Sequence, residues 1–180
     1  RVKKVLGITS FFIVDDVFTL QEKRVFAFCD ALEKAKLNLR LKCFGHINTG
    51  SIEMYKRMKH AGFHSVALGI ESGNQRILDL VKKHISIENI EKSVRCIEKS
   101  GLIPIPLFMI GNIGETEETI IDTINLCKKM GKGGWFSFAQ PLPGSEFYAV
   151  AKEYGTVTTN NLDEYTSTHI TFVPKGLSID

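Results

Sequence analysis

Ligand-spaced cysteines are missing from this sequence. Its four cysteines, Cys29, Cys43, Cys96 and Cys127, stand far apart in 180 residues. No metal-ligand or redox spacing is present, and so few dispersed thiols exclude a disulfide framework. Free thiols, buried or half-buried in a reducing cytoplasm, are expected instead. No apolar run reaches the length of a membrane span, and the first residues lack a signal-peptide pattern. There is no block of one charge sign either. The 23 Lys and Arg are interspersed with 20 Asp and Glu, for a net charge of +3 and a pI near 8.6. That balance argues against a nucleic-acid or membrane surface. What is present, 43% hydrophobic and 24% charged residues, suits one soluble globular domain with a real core. The chain opens on Arg1 rather than methionine and closes on a polar, Thr-rich stretch, as expected of a piece of something longer.

Short apolar or β-branched runs alternate with longer amphipathic ones. Strands are predicted at 10–14, 39–44, 65–70, 103–110 and 135–140. Helices are predicted at 20–36, 51–61, 74–81, 86–100, 116–130 and 146–154. Thr19 followed by Glu22 reads as a capping box for the first helix. Within that helix Val25, Phe28, Cys29 and Leu32 recur at helical spacing, which makes Cys29 a core residue. Gly62 and Gly101 stop two helices. Ile103 to Ile110 is apolar almost throughout, as in a strand covered on both faces. Glu117 and Glu118 fall in a first helical turn, where the dipole favours acids. From Gly155 onward, Thr, Asn and Asp accumulate, and a tail or linker is expected.

Five strands each followed by helix imply parallel neighbours and right-handed crossovers. Such folds bind ligands beyond the carboxyl ends of their strands. There lie Asp15 and Asp16, then Glu71 to Asn74, then Gly111 to Glu115, then Pro141 to Ser145. Each group has a plain structural reading beside the functional one. The two aspartates suit a turn, although adjacent acids at a strand end are costly unless partnered. Ser72 or Asn74 suits a helix cap. The Gly111–Glu115 turn, feeding a helix N-terminus, could cradle an anion. Pro141, Pro143 and Gly144 suit a rigid turn. On the strand at 39–44, Arg40 and Lys42 alternate with the apolar side, and Ala67 and Gly69 leave room on the strand after it.

Four runs carry a resemblance: FIVDDVF (Phe12–Phe18), KHAGFHSVALGIESGNQRIL (Lys59–Leu78), FMIGNIGETEETIIDTI (Phe108–Ile124) and PLPGSEFY (Pro141–Tyr148). In this order they resemble radical S-adenosylmethionine (radical-SAM) proteins, most of all the branch associated with cobalamin-binding domains. The resemblance covers nearly all of residues 5–155. It implies an α/β fold, a parallel (β/α) partial TIM barrel with five of its six strand–helix units. Residues 1–155 would be strands two to six of that barrel, and 156–180 a linker or the start of a C-terminal extension. The family's CxxxCxxC motif, which binds a [4Fe–4S] cluster, is absent, so this piece alone should be inactive.

The resemblance also implies S-adenosylmethionine and a [4Fe–4S] cluster in the full-length protein, with or without cobalamin. A small-molecule substrate and an electron donor such as a flavodoxin or ferredoxin are implied, with no nucleic acid and no membrane. A methylthiotransferase acting on tRNA or a ribosomal protein is a second enzyme reading; a barrel without its cluster, serving as a binding scaffold, is a third. Residue by residue, Asp15 and Asp16 would approach the methionine moiety, and Glu71 and Ser72 the ribose or aminoacyl end. Gly111, Gly114, Glu115 and Pro141 would flank the adenine. Ile113 stands where relatives usually have proline, His46 where many have arginine, and Asn48 where many have aspartate.

Overall fold

The computed structural model describes residues 2–131 and 133–179. Elements follow in the order α1 (Val2–Leu6), β1 (Ser10–Ile13), α2 (Glu22–Lys34), β2 (Arg40–Gly45), α3 (Ile52–His60) and β3 (Phe63–Glu71). Next come α4 (Gln75–Leu80), α5 (Ile87–Lys99), β4 (Ile103–Ile110), α6 (Glu117–Met130) and β5 (Trp135–Phe138). The chain ends with α7 (Glu146–Tyr154), β6 (Gly155–Val157) and β7 (Phe172–Pro174). Strands β1 to β5 make one sheet in sequence order, with β1/β2, β2/β3 and β4/β5 paired parallel. Two compact units divide the chain: Arg1–Gly69 with Glu88–Ile105, and Ile70–Ile87 with Pro106–Asp180.

In the first unit the register sets which side chains share a face. Leu41 pairs with Phe11 and Cys43 with Ile13 and Val66, and these residues face the helices. Leu41, Cys43, Val66 and Leu68 are buried with Val25 and Cys29 of α2 and with Met54, Tyr55 and Met58 of α3. Each large aliphatic or aromatic side chain buried this way contributes roughly 1.5–3 kcal/mol. On the opposite face lie Phe12, Lys42 and Phe44. Ser51 caps α3 by accepting from the Met54 amide at 3.1 Å. Gly62, at φ +105° with Leu39 O only 2.3 Å from where a Cβ would sit, could be no other residue without distortion.

The expected capping box at Thr19 and Glu22 does not form. Phe18–Leu20 is a 3-10 turn, and α2 begins at Glu22 after Gln21. Thr19 is fully buried, its hydroxyl 2.7 Å from that of Thr49 and accepting from the His46 amide at 3.3 Å. Glu22 accepts instead from the Ser51 amide, 2.9 Å away. Partners far along the chain outcompeted the local pattern.

In the second unit, α6 carries its own capping box, in which Thr116 and Thr119 exchange side-chain and backbone bonds. Its core gathers Ile77, Leu78, Phe108, Leu126, Ala139 and Phe172. The stretch after Gly155, expected as a tail, instead carries the antiparallel pair β6/β7. Thr171 and Phe172 are buried there, and the Phe172 ring meets Phe147 edge-on at 5.0 Å. The β-branched and aromatic residues of these segments suit strands, and the polar residues occupy the connection between them.

Candidate functional site

Strands β3, β4 and β5 end in the second unit, and three turns follow them. Glu71 closes β3 at φ +68°, a left-handed conformation uncommon for a residue with a side chain. Its carboxylate pairs with Lys83 Nζ at 2.6 Å, with both side chains mostly shielded from solvent. Ser72, the next residue, is fully buried. Its hydroxyl lies 3.2 Å from Thr123 Oγ1 and accepts from the Asn74 amide at 3.2 Å. The Gly73 amide donates to Thr123 Oγ1 at 2.9 Å, and Asn74 Nδ2 to Asp122 at 2.7 Å. Asn74 also caps α4. The turn is thus fastened to α6, and Ser72 works as a fastener there.

The loop after β4 is built around Glu115, which is 1% exposed. Its Oε2 accepts from the amides of Gly111 at 2.5 Å and Asn112 at 3.1 Å. Asn112 Nδ2 in turn donates to Met109 O at 3.0 Å. Burial pushes the Glu115 carboxyl above its ordinary value, opposed by the hydrogen bonds from Gly111 and Asn112. Its other oxygen, Oε1, is buried with no hydrogen-bond partner. Gly111 and Gly114 sit at φ +85° and +71°, and a Cβ on Gly114 would lie 2.6 Å from Leu80. Glu115 therefore shapes the turn from beneath and faces no ligand space of its own.

Between these turns lies a cavity of about 470 Å³, lined among others by Glu71, Lys83, Met109, Asn112, Ile113 and Phe147. It is an apolar chamber with a carboxylate–ammonium pair in its wall, the usual make-up of a small-molecule site. Pro141 is buried but does not line it. The preceding Gln140 donates to Thr166 O and His169 O at 2.9 and 2.8 Å and accepts from Thr171 at 2.5 Å, tying this loop to the β6–β7 connection.

Of the sequence candidates, Glu71 reaches the cavity, and the Gly111–Glu115 loop reaches it through Asn112 and Ile113. Ser72 and Glu115 hold the two loops. Asp15 and Asp16 belong to the first unit, where both are exposed and Asp15 is paired with Arg24. Sequence reasoning missed Lys83, Met109 and Phe147. Lys83 follows α4 between Lys82 and His84, both at left-handed φ of +54° and +55°, and nothing in the composition of that loop announces the conformation.

An iron–sulfur cluster does not fit the residues present. Burial pushes the thiol of Cys29 up to about 11 and that of Cys43 to about 12, whereas cluster ligands must be thiolates. Among the described residues no three His, Cys, Asp or Glu converge on one point. Among them, too, no helix is long and apolar enough to cross a membrane.

A family model described as the radical SAM superfamily matches residues 1–127. The chain is 32% identical over 162 residues to an uncharacterized methyltransferase of Pyrococcus horikoshii, covering 89% of this chain and 35% of that protein. It is 26% identical over 146 residues to the anaerobic magnesium-protoporphyrin IX monomethyl ester cyclase of Rubrivivax gelatinosus, covering 77% and 25%. The radical S-adenosylmethionine methyltransferase TsrM of Kitasatospora setae, solved with cobalamin and a [4Fe–4S] cluster, superposes with a TM-score of 0.72 at 17% identity. That match covers 99% of this chain and 37% of TsrM, and the shared fold is the parallel α/β partial barrel. The chain thus spans about a third and a quarter of the two curated relatives' lengths.

Proposed function

Because the chain belongs to the radical SAM superfamily, we propose that it is the S-adenosylmethionine-binding portion of a radical-SAM enzyme, one that transfers methyl groups or abstracts hydrogen from a small-molecule substrate. The observation that carries this reading is the cavity at the strand ends, where the Glu71 carboxylate meets the apolar walls of Met109, Ile113 and Phe147. A carboxylate accepts from ribose hydroxyls, and apolar side chains suit an adenine face. Lys83 holds the Glu71 carboxylate, while Glu115 and the Ser72–Thr123 contact keep the two loops that frame the cavity in place. Glu71, Met109, Ile113 and Phe147 would hold S-adenosylmethionine, which when bound would supply the radical or methyl equivalent. The names of the Pyrococcus and Kitasatospora proteins favour methyl transfer, and the latter's bound cobalamin favours a corrinoid partner domain. A cytoplasmic setting with a reduced flavodoxin or ferredoxin as donor completes the reading.

The test is made on the full-length protein, reconstituted anaerobically. S-adenosylmethionine binding is measured by equilibrium dialysis, and 5′-deoxyadenosine is quantified after dithionite reduction. Loss of a hydrogen bond to a charged group costs about 1.5–3 kcal/mol, so Glu71→Ala should weaken binding roughly ten- to a hundredfold. Unchanged affinity in that variant would remove Glu71 from the site. The present chain alone should yield no stable four-iron spectrum with iron and sulfide. A robust brown four-iron product would overturn the assignment of the cluster to residues outside it.

A further inference from the structure

The face of β1 and β2 turned away from the helices differs from the rest of the first unit. Strand alternation places Phe12 and Phe44 there, with ring centroids 4.7 Å apart. Lys42 is the register partner of Phe12 and stands two residues before Phe44 on β2, its ammonium 4.4 Å from the centroid of the Phe12 ring. Arg40 is two residues earlier on the same face of β2, and both cations are exposed. Among the described residues neither forms an ion pair, unlike the arginines Arg24, Arg57 and Arg95 of this unit, which pair with Asp15, with Asp30 and Glu33, and with Glu91. Both cations also bear on His64, adding to the burial that lowers its pKa, so the local field is positive.

The neighbouring strand contributes room and an unmet polar group. Ser65 pairs with Lys42 and Ala67 with Phe44 across the β2/β3 ladder, so both small residues share this face. Ser65 is 1% exposed, and its hydroxyl has no hydrogen-bond partner. A buried hydroxyl left unbonded costs on the order of 1–3 kcal/mol and asks for a ligand atom or water. Aromatic rings half open to solvent, two exposed cations beside them and a buried, unbonded hydroxyl on one sheet face are poorly explained as packing.

We propose that this face recognises the substrate, and that the substrate is an organic anion: a flat, apolar body lying against Phe12 and Phe44, with a carboxylate or similar group answering Lys42 and Arg40. The inference rests on the reading of the chain as part of an enzyme with a small-molecule substrate. Lys42 sets the position of the anionic group, because its ammonium is already held over a ring that the apolar body would share. Arg40 adds a forked donor suited to two oxygens at once. Ser65 offers a hydroxyl to the same group or to a bridging water.

The probes are 2-naphthoate and its neutral counterpart 2-naphthamide, titrated calorimetrically into the full-length protein. The naphthoate should bind at least about fivefold more tightly, a preference that Lys42→Met and Arg40→Met each reduce and the double variant abolishes. Phe12→Ala should weaken both probes alike. Both cations are exposed, so these variants fold, and retained S-adenosylmethionine affinity in the same samples verifies it. Equal affinity for the two probes, or a preference that survives the double variant, overturns the proposal. The comparison is read whether or not S-adenosylmethionine binds. Failure of cofactor binding with the preference intact therefore strikes at the cofactor assignment and leaves this one standing.

Discussion

Replacing Gly73 by alanine tests how the β3–α4 turn is held. Gly73 could accept an alanine's backbone conformation, so conformational freedom is not the reason for glycine here. The reason is proximity. A Cβ would lie 2.6 Å from both Asp122 O and Thr123 Cα, which are backbone atoms of α6 and cannot rotate away. Restoring an ordinary contact of 3.4 Å requires the turn to retreat by about 0.8 Å. That retreat would carry the Gly73 amide, now 2.9 Å from Thr123 Oγ1, beyond hydrogen-bonding range, and would stretch the 3.2 Å Ser72–Thr123 contact as well. Overpacking of this kind costs about 1–3 kcal/mol, and each hydrogen bond lost adds about 1 kcal/mol. A total near 2–4 kcal/mol should lower Tm by roughly 4–16 °C in a chain of this size. Thermal unfolding followed by circular dichroism measures it. Thr123→Val, which removes the shared acceptor at constant shape, should cost less, and the double variant less than the two together because the same bonds are lost. A Gly73→Ala variant melting within a degree of the parent would refute the reasoning.

Glu115 and Glu33 should give pH effects of opposite sign. Burial holds the Glu115 carboxyl above its ordinary 4.5, so the folded chain keeps a proton that the unfolded chain releases. Stability is therefore lost as pH rises from that ordinary value through the raised one. Glu115→Gln stays uncharged, and its urea midpoint relative to the parent should climb between pH 4.5 and 7.5; a constant difference would count against the assignment. Glu33 is held at about 2 by hydrogen bonds from Arg57 and then His60. Its contribution is present above 4.5 and fades as pH falls toward 2. Arg57→Met should move that titration upward, as seen in the side-chain carboxyl ¹³C shift, and titration still centred near 2 would show that Arg57 is not the cause.

The periodic parts of the fold were open to reading from the residues alone. The strand at Ile103–Ile110 and the helix ends before Gly62 and Gly101 stand where the pattern put them, although Ile103 is exposed and the strand is not covered on both faces throughout. What escaped depends on partners far along the chain. Thr19 and Glu22 have the spacing of a capping box, but Thr49 and Ser51, about thirty residues on, claim their side chains. The strands after Gly155 are three residues each, too short for a period to show, and are stabilised by pairing with one another and by Phe147. Lys83 could be recognised only once the turn that carries it was known.

Glu71 and Ser72 show how far a site can be read from a motif and where structure must take over. They are adjacent, and both looked like ligand contacts by position. In the fold one carboxylate enters the cavity and one hydroxyl is buried against α6. A left-handed residue with a side chain costs about 1–2 kcal/mol, and Glu71 adopts that conformation at the point where β3 ends. The bonds made by Ser72, Gly73 and Asn74 to Asp122 and Thr123 are of the size needed to offset it. The two residues are therefore one device, in which the hydroxyl and the close-packed glycine hold the backbone conformation that presents the carboxylate. It follows that damage to Ser72 should reach the cavity through the position of Glu71. A Ser72→Ala variant should weaken S-adenosylmethionine binding less than Glu71→Ala does, and Glu71→Ala should leave little further effect for the serine change to add. Fully additive losses in that double-variant cycle would separate the two residues and refute the coupling.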